Sequence, residues 1–100
     1  MQHAGPAELE SVAGLLAQLR AVDGLGLVEK KPGVFYRRSR AFLHFHTDPS
    51  GMYVDVRVQA DGAFERMRVT TAAEQARLLS VVRQEAMRTA NEGGNQLTPK

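Results

Sequence analysis

The segment from Gly33 to Val69 alternates apolar and polar residues between short turn sequences, and this pattern constrains the chain to an antiparallel sheet. Asp48-Pro49-Ser50-Gly51 has the residue preferences of a type I turn, and Asp61-Gly62 is a dipeptide preferred in type I′ hairpins. Ser39-Arg40 is a poorer turn without glycine. Because side chains alternate along a strand, the length of each loop decides which residues share a face.

Matching apolar residues across each hairpin selects the register. A loop of odd length at Asp48–Gly51 would set two histidines against valines, so we choose the even loop. The predicted apolar pairs are Leu43 with Val56 and Phe45 with Val54, then Val56 with Met67 and Val54 with Val69, and finally Tyr36 with Leu43 and Val34 with Phe45. The three turns together predict four strands with one continuous apolar face.

Two amphipathic helices flank this segment. The first is predicted from Ala7 to Val22, with apolar residues at helical spacing. The second is predicted from Ala72 to about Ala90 and starts with a capping box formed by Thr71 and Glu74. Its apolar stripe comprises Ala72, Ala76, Leu78, Leu79, Val82 and Ala86. Between the first helix and the meander, Leu27-Val28 is a candidate for a short edge strand.

The order helix, short strand, four-stranded meander and helix predicts a two-layer α+β domain with both helices packed on one face of the sheet. A chain of 100 residues suffices for one such domain. We expect residues 1–6 to be flexible, residues 7–90 to form the domain and residues 91–100 to be disordered.

Composition excludes several chemistries. The chain has no cysteine, so disulfides, thiolate metal ligands and cysteine nucleophiles are absent. No apolar run approaches the roughly 20 residues of a membrane span, and the first residues do not resemble a signal peptide, which predicts a cytoplasmic protein. The net charge is only +2, but five of the 13 cations lie between Lys30 and Arg40 and form a local basic patch.

Alternation also predicts the open face of the sheet. One row across the strands contains Phe35, His44, Asp55 and Arg68, the next contains Arg37, Phe42, Arg57 and Arg66, and the third contains His46, Tyr53 and Thr70.

The first row sets His44 opposite Asp55, and this pair is the only catalytic candidate. An ionised aspartate beside an imidazole favours its protonation and could orient a proton-relaying dyad. A cross-strand charged pair without catalytic function has the same residues, and no serine or cysteine nucleophile is placed beside it.

His44 and His46 share one face of a strand, with Asp55 across from the first. Two histidines and a carboxylate suit a divalent transition metal with open coordination positions. Any two alternate residues share a face, however, so histidines that only occupy half-exposed strand positions give the same pattern. The three residues are therefore a candidate metal site rather than a predicted one.

Arginines and aromatics in the other rows indicate a binding surface. Its five residues resemble in composition a platform that stacks and neutralises single-stranded nucleic acid: Arg37, Phe42, Tyr53, Arg57 and Arg66. In this register Arg57 and Arg66 face each other and need a counter-charge. An acidic protein surface is an equivalent partner, and exposed aromatics on the same face also fit a homodimer interface.

The segment Arg40-Ala-Phe-Leu-His-Phe-His46, followed by Tyr53-Val-Asp-Val56 and a leucine-bearing terminal helix, resembles a bacterial family of small uncharacterised domains called luciferase-like. The resemblance covers about Gly33 to Arg83 and implies no light-producing chemistry. The connection Ala60-Asp61-Gly62 departs from that family, in which a longer insertion with further histidines is expected. In layout the chain is also similar to YjbR and CyaY-like domains, for which DNA or metal binding has been considered. Both resemblances single out His44, His46 and Asp55.

From these observations we expect a binding or interaction module rather than an enzyme, with no cofactor, which uses its polar sheet face for an anionic partner. The alternatives are a metal-dependent or His-Asp enzyme at His44, His46 and Asp55, and a homodimeric assembly domain.

Overall fold

A computed structural model describes residues 2–59 and 62–97 of the chain. The strands are β1 (Gln2–His3), β2 (Leu27–Lys31), β3 (Val34–Arg37), β4 (Arg40–Asp48), β5 (Gly51–Val56) and β6 (Glu65–Arg68). The helices are α1 (Pro6–Glu10), α2 (Ala13–Arg20) and α3 (Ala72–Leu97). The chain therefore folds as the predicted α+β domain.

The sheet is an antiparallel meander in the order β2-β3-β4-β5-β6. β1 adds to it by pairing with β4, where Gln2 lies opposite Thr47 and His3 opposite His46. The amide of Ala4 donates to the carbonyl of Phe45 at 3.3 Å, and Ala4 is buried. Residues 2–4, expected to be flexible, are thus paired with the sheet, and β2 extends the predicted edge strand to Lys31.

One apolar core joins the helices to one face of the sheet. The buried residues of the helices and of the link between α1 and α2 are Leu9, Val12, Leu15, Leu16, Leu19, Leu78, Leu79 and Val82, and they belong to one cluster with Phe35, Phe42, Leu43, Phe45, Val54, Val56 and Val69. Buried side chains of this size each stabilise a fold by about 1.5–3 kcal/mol relative to exposure. The predicted apolar stripe of the first helix is therefore confirmed as core.

The first helix is interrupted where one continuous helix was predicted. The Ser11 hydroxyl donates to the carbonyl of Glu8 at 2.6 Å, and the amides of Ser11 and Val12 bond carbonyls three residues earlier rather than four. This tight last turn ends α1, and Val12 leaves helical geometry before α2 begins. A serine that bonds to the backbone competes with the regular helix pattern.

α3 starts with the predicted capping box: the amide of Glu74 donates to the Thr71 hydroxyl at 3.2 Å, and the amide of Thr71 donates to the Glu74 carboxylate at 2.9 Å. The helix continues to Leu97, beyond its predicted end near Ala90. The predicted disordered tail 91–100 thus overlaps this helix, and residues 98–100 lie outside the described part of the chain. Two alanines of the predicted stripe, Ala72 and Ala76, are exposed.

The hairpin of β4 and β5 has the predicted register. Phe45 lies opposite Val54, Leu43 opposite Val56 and His44 opposite Asp55. Asp48 faces Gly51, so the loop has two residues, and the Asp48 carboxylate accepts the Ser50 amide at 2.8 Å. Apolar matching succeeded here because both strands are paired on both sides and bury one full face.

The predicted register of β3 and β4 is wrong. Arg37 lies opposite Arg40, so the turn consists of Arg38 and Ser39, and a β-bulge follows at Phe42. The bulge makes Phe35, rather than Tyr36, the partner of Leu43. Phe35 and Phe42, both predicted on the open face, are each only 2% exposed, because the bulge turns two aromatic side chains into the core.

The predicted two-residue loop at Asp61-Gly62 is also wrong. Val54 pairs with Met67 and Asp55 with Arg66, a shift of two residues, and the described pairing ends at Val56 and Glu65, so the connection spans residues 57–64. Asp61 itself lies outside the described residues. A shift of two keeps the faces, so Met67 and Val69 remain on the core side as predicted. None of the described helices has both the length and the hydropathy needed to cross a membrane.

Candidate metal centre

Three donor atoms converge on the open face of the sheet. His44 Nδ1 lies 2.6 Å from His46 Nε2, and His46 Nε2 lies 3.2 Å from Asp55 Oδ2. One ligand atom of each residue lies within 4.8 Å of those of the other two. The cluster combines the candidate metal ligands predicted from the sequence.

The strands place these side chains without any unusual backbone. His44 and His46 are alternate residues of β4, and Asp55 on β5 is directly opposite His44. Strand alternation sends all three to the face away from the helices, while Leu43 and Phe45 enter the core between them. The register of this hairpin therefore creates the cluster.

The protons available to this cluster do not satisfy every donor and acceptor. A hydrogen on His46 Nε2 has to be shared between His44 Nδ1 and Asp55 Oδ2. The other nitrogen of His46, Nδ1, is buried and has no hydrogen-bond partner among the described residues. A cation placed between the three atoms would satisfy them together, because each would then direct a lone pair at it.

Arg66 fixes the carboxylate of this cluster. Its Nε and terminal nitrogen donate to the two Asp55 oxygens at 2.8 and 3.0 Å. The hydrogen bond with Arg66 is the main reason why the pKa of Asp55 lies below its usual range, and the His46 and His44 charges contribute less. Asp55 is therefore ionised at neutral pH and held in one orientation.

The pKa of His44 is lowered, which corrects the expectation that Asp55 would favour its protonation. Burial is the main cause, followed by the neighbouring His46, and together they outweigh the attraction of Asp55. The Asp55 charge is already paired with Arg66, which itself disfavours a cationic His44. A neutral imidazole offers a lone pair to a metal, whereas an imidazolium does not.

Aromatic groups border the cluster. The Phe64 ring packs against His44 with 5.0 Å between centroids, and the Arg57 guanidinium lies 4.5 Å above the centre of Phe64. His3 of β1 is on the same face, with its ring centroid 6.5 Å from that of His46. These groups shield one side of the cluster and bring a third imidazole to its edge.

The structure divides the five predicted ligand-binding residues: Arg37, Phe42 and Arg57 line one pocket, whereas Tyr53 and Arg66 lie beside the histidine cluster. Phe42 is in the core, and Arg37 bonds Glu85 of α3 at 2.9 Å. Arg66 is paired with Asp55 instead of facing Arg57.

The fifth residue of that set, Tyr53, lies beside the histidine cluster. It is opposite His46 and hydrogen bonds the Ser50 hydroxyl at 2.6 Å. Tyr53, Arg57 and Arg66 thus border the cluster from separate positions.

Three residues near functional groups were not found from the sequence. Glu85 is buried to 4% exposure among the apolar residues of α3, and its spacing from Val82 was a signal of inward orientation. Phe64 was assigned to a hairpin strand, and its packing on His44 depends on the longer connection. His3 was placed in a flexible segment, because a two-residue strand has no sequence signature.

No protein family, curated protein or solved structure matches this chain. The resemblances to luciferase-like and to YjbR and CyaY-like domains therefore stay predictions.

Proposed function

We propose that this protein binds a divalent first-row transition metal through His44, His46 and Asp55. The observation that carries the proposal is the convergence of Nδ1, Nε2 and Oδ2, with neighbouring separations of 2.6 and 3.2 Å. Zinc bonds imidazole nitrogen at about 2.0–2.1 Å, so adjacent ligands of a tetrahedral ion lie about 3.3 Å apart. The two neighbouring separations lie within an ångström of this value, and the third is no longer than 4.8 Å.

The donor set narrows the choice of metal. Imidazole and carboxylate ligands suit zinc, nickel, cobalt or ferrous iron, whereas calcium and magnesium prefer oxygen ligands alone. Arg66 stabilises the ligating carboxylate from behind, in the position of an outer-shell partner. Three protein ligands leave at least one coordination position for water, for a substrate, or for His3 from β1.

A titration of the chelator-treated protein with Zn²⁺, followed by ¹⁵N NMR of the histidine side chains, tests this proposal. We expect His44 Nδ1 and His46 Nε2 to shift on binding, since those nitrogens face each other. Zn²⁺ in 100-fold excess over its dissociation constant should raise the free energy of unfolding by about 2.7 kcal/mol.

Asp55→Asn keeps the volume of the side chain but removes its charge, and it should weaken Zn²⁺ binding by at least about tenfold. His44→Gln, which removes an imidazole ligand, should also weaken Zn²⁺ binding by at least about tenfold. The matched control is Asp23→Asn, which neutralises an exposed carboxylate at the end of the first helical region and should leave affinity unchanged. Unmoved ring resonances of both histidines in excess Zn²⁺, Ni²⁺ and Co²⁺ would refute the proposal.

The other expected functions stay predictions. Binding of nucleic acid or an acidic protein surface by the sheet face has less support than metal binding, because Phe42 is buried and Arg66 is already paired. The homodimer prediction loses the aromatic contribution of Phe35 and Phe42, which are core residues. A His44–Asp55 catalytic dyad also has less support, since Arg66 holds the aspartate and no nucleophile adjoins it among the residues described above.

A further inference from the structure

A second site with different chemistry lies at the other end of β4, beside the middle of α3. A pocket of about 230 Å³ is bounded by the turn between β3 and β4, by the residue after β5 and by α3. Its principal lining residues are Arg37, Arg38, Arg40, Phe42, Arg57 and Glu85.

The charges in this pocket do not balance among the described residues. Glu85 is 4% exposed, and its carboxylate accepts Arg37 at 2.9 Å and Arg88 at 2.6 Å. Arg38, Arg40 and Arg57 have no carboxylate partner in the part of the chain that the structure describes. Three guanidinium groups thus border a pocket whose only described carboxylate is already bound.

The buried pair fixes the shape of the pocket. Arg37 also donates to the Thr89 hydroxyl at 3.0 Å, which connects β3 to the middle of α3. The Arg57 guanidinium donates to the carbonyl of Ala41 at 2.8 Å and stays on Phe64, so it cannot turn freely into water. Arg37 and Arg57 are therefore held in place in the wall of the pocket, and the exposed Arg38 and Arg40 add two further guanidinium groups to its lining.

The turn that contains Arg38 and immediately precedes Arg40 is conformationally costly. Arg38 and Ser39 have φ angles of 52° and 67°, the left-handed region in which glycine or asparagine is preferred. An arginine at this position lowers the local stability of the hairpin. Backbone conformations of this kind concentrate at binding sites.

We propose that this pocket binds the phosphate group of a small phosphate monoester. A carboxylate offers two oxygens, which one guanidinium fork can satisfy, whereas a phosphate dianion offers three oxygens and more charge to surrounding arginines. Phe42 and Ala41 provide an apolar wall for the group that the phosphate carries. The pocket shares no residue with the cluster of His44, His46 and Asp55. The phosphate proposal and the metal proposal can therefore be tested independently.

Isothermal titration of the full chain with phenyl phosphate at low salt tests the proposal. Loss of a charged hydrogen bond should make Arg38→Asn and Arg40→Gln bind about tenfold more weakly. Asparagine tolerates a positive φ, so Arg38→Asn should unfold at the same or a higher urea concentration than the native chain. Reduced affinity in a variant of undiminished stability separates binding from folding.

Arg83→Gln is the matched control, because it removes one charge from an exposed position of α3 outside this pocket and should leave affinity unchanged. The proposal is overturned if Arg83→Gln weakens binding as much as Arg38→Asn, which would indicate general charge attraction. It is also overturned if benzoate binds as tightly as phenyl phosphate, or if millimolar phenyl phosphate leaves the amide resonances of residues 38–42 unmoved.

Discussion

Replacement of Glu85 by glutamine should destabilise the protein far more than the same change at the surface. Glutamine keeps the volume and one acceptor oxygen, but it replaces the other oxygen with an amide that points donors at guanidinium donors. Arg37, whose side chain is 13% exposed, then keeps the amide oxygen, the Thr89 hydroxyl and a 3.4 Å contact to the Val58 carbonyl, but it loses the negative charge that neutralised it.

The size of the expected loss in unfolding free energy follows from the burial of the Glu85 side chain. Removal of one partner from a buried ion pair costs about 3–5 kcal/mol, because the other charge stays buried without compensation. The side chain of Glu85 is 3% exposed but that of Arg88 is 51% exposed, so water reaches part of this network of hydrogen bonds. We therefore expect about 3 kcal/mol, at the lower end of that range. For a domain of this size such a loss corresponds to a fall in Tm of between about 12 and 24 °C.

Urea unfolding, followed by circular dichroism, measures this difference. The matched control is Glu29→Gln, whose partner Arg20 is 50% exposed, and its loss should stay below about 1 kcal/mol. Hydrogen bonding to Arg88, and next to Arg37, lowers the pKa of Glu85. The stabilisation that ionised Glu85 contributes is therefore complete above the pKa of glutamate in the unfolded chain, about 4.3. It is lost as the pH falls through the lower pKa that Glu85 has in the folded protein.

The difference between native and Glu85→Gln proteins should accordingly be constant at neutral pH and shrink below about pH 4. A loss no larger than that of Glu29→Gln would contradict the assigned burial of the carboxylate. A difference that does not change with pH would contradict the assigned ion pair, even if the loss itself were large.

Two further predictions concern the turn between β3 and β4 and the cap of α3. Ser39→Gly should raise the free energy of unfolding by roughly 0.5 kcal/mol, because relief of the left-handed conformation exceeds the added entropy of the unfolded glycine chain; a lower urea midpoint would contradict the assigned turn. Thr71→Ala should cost about 1 kcal/mol through loss of the hydroxyl that caps α3, whereas Thr71→Ser should keep most of it; equal losses in the two variants would show that the cap hydrogen bond does not stabilise the helix.

The metal cluster was predictable from one hairpin. Only one of the two loop lengths considered for Asp48–Gly51 matched apolar residues on one face, and that register set His44 opposite Asp55. The additional proximity of His46 Nε2 to the carboxylate depends on rotamers, which strand periodicity does not specify.

The predicted surface of arginines and aromatics is divided between two places because its rows crossed two hairpins whose predicted registers were wrong. A bulge at Phe42 reversed the faces of the neighbouring strand, and no glycine marked the turn that preceded it. In the other hairpin Asp61-Gly62 is a favourable dipeptide, but packing of Phe64 on His44 accompanies a longer connection. Local turn preferences amount to about 1 kcal/mol or less, and burial of one aromatic side chain exceeds that.

The sequence by itself determined the α+β class, the meander, the apolar faces of the helices and the pairing of His44 with Asp55, because these follow from periodicity and short-range turn chemistry. Only the tertiary structure decided that Phe35 and Phe42 belong to the core, that Arg66 neutralises Asp55 and that Glu85 of α3 binds Arg37 of β3. Such partners lie on separate elements, and their choice depends on how the whole core packs rather than on any local pattern.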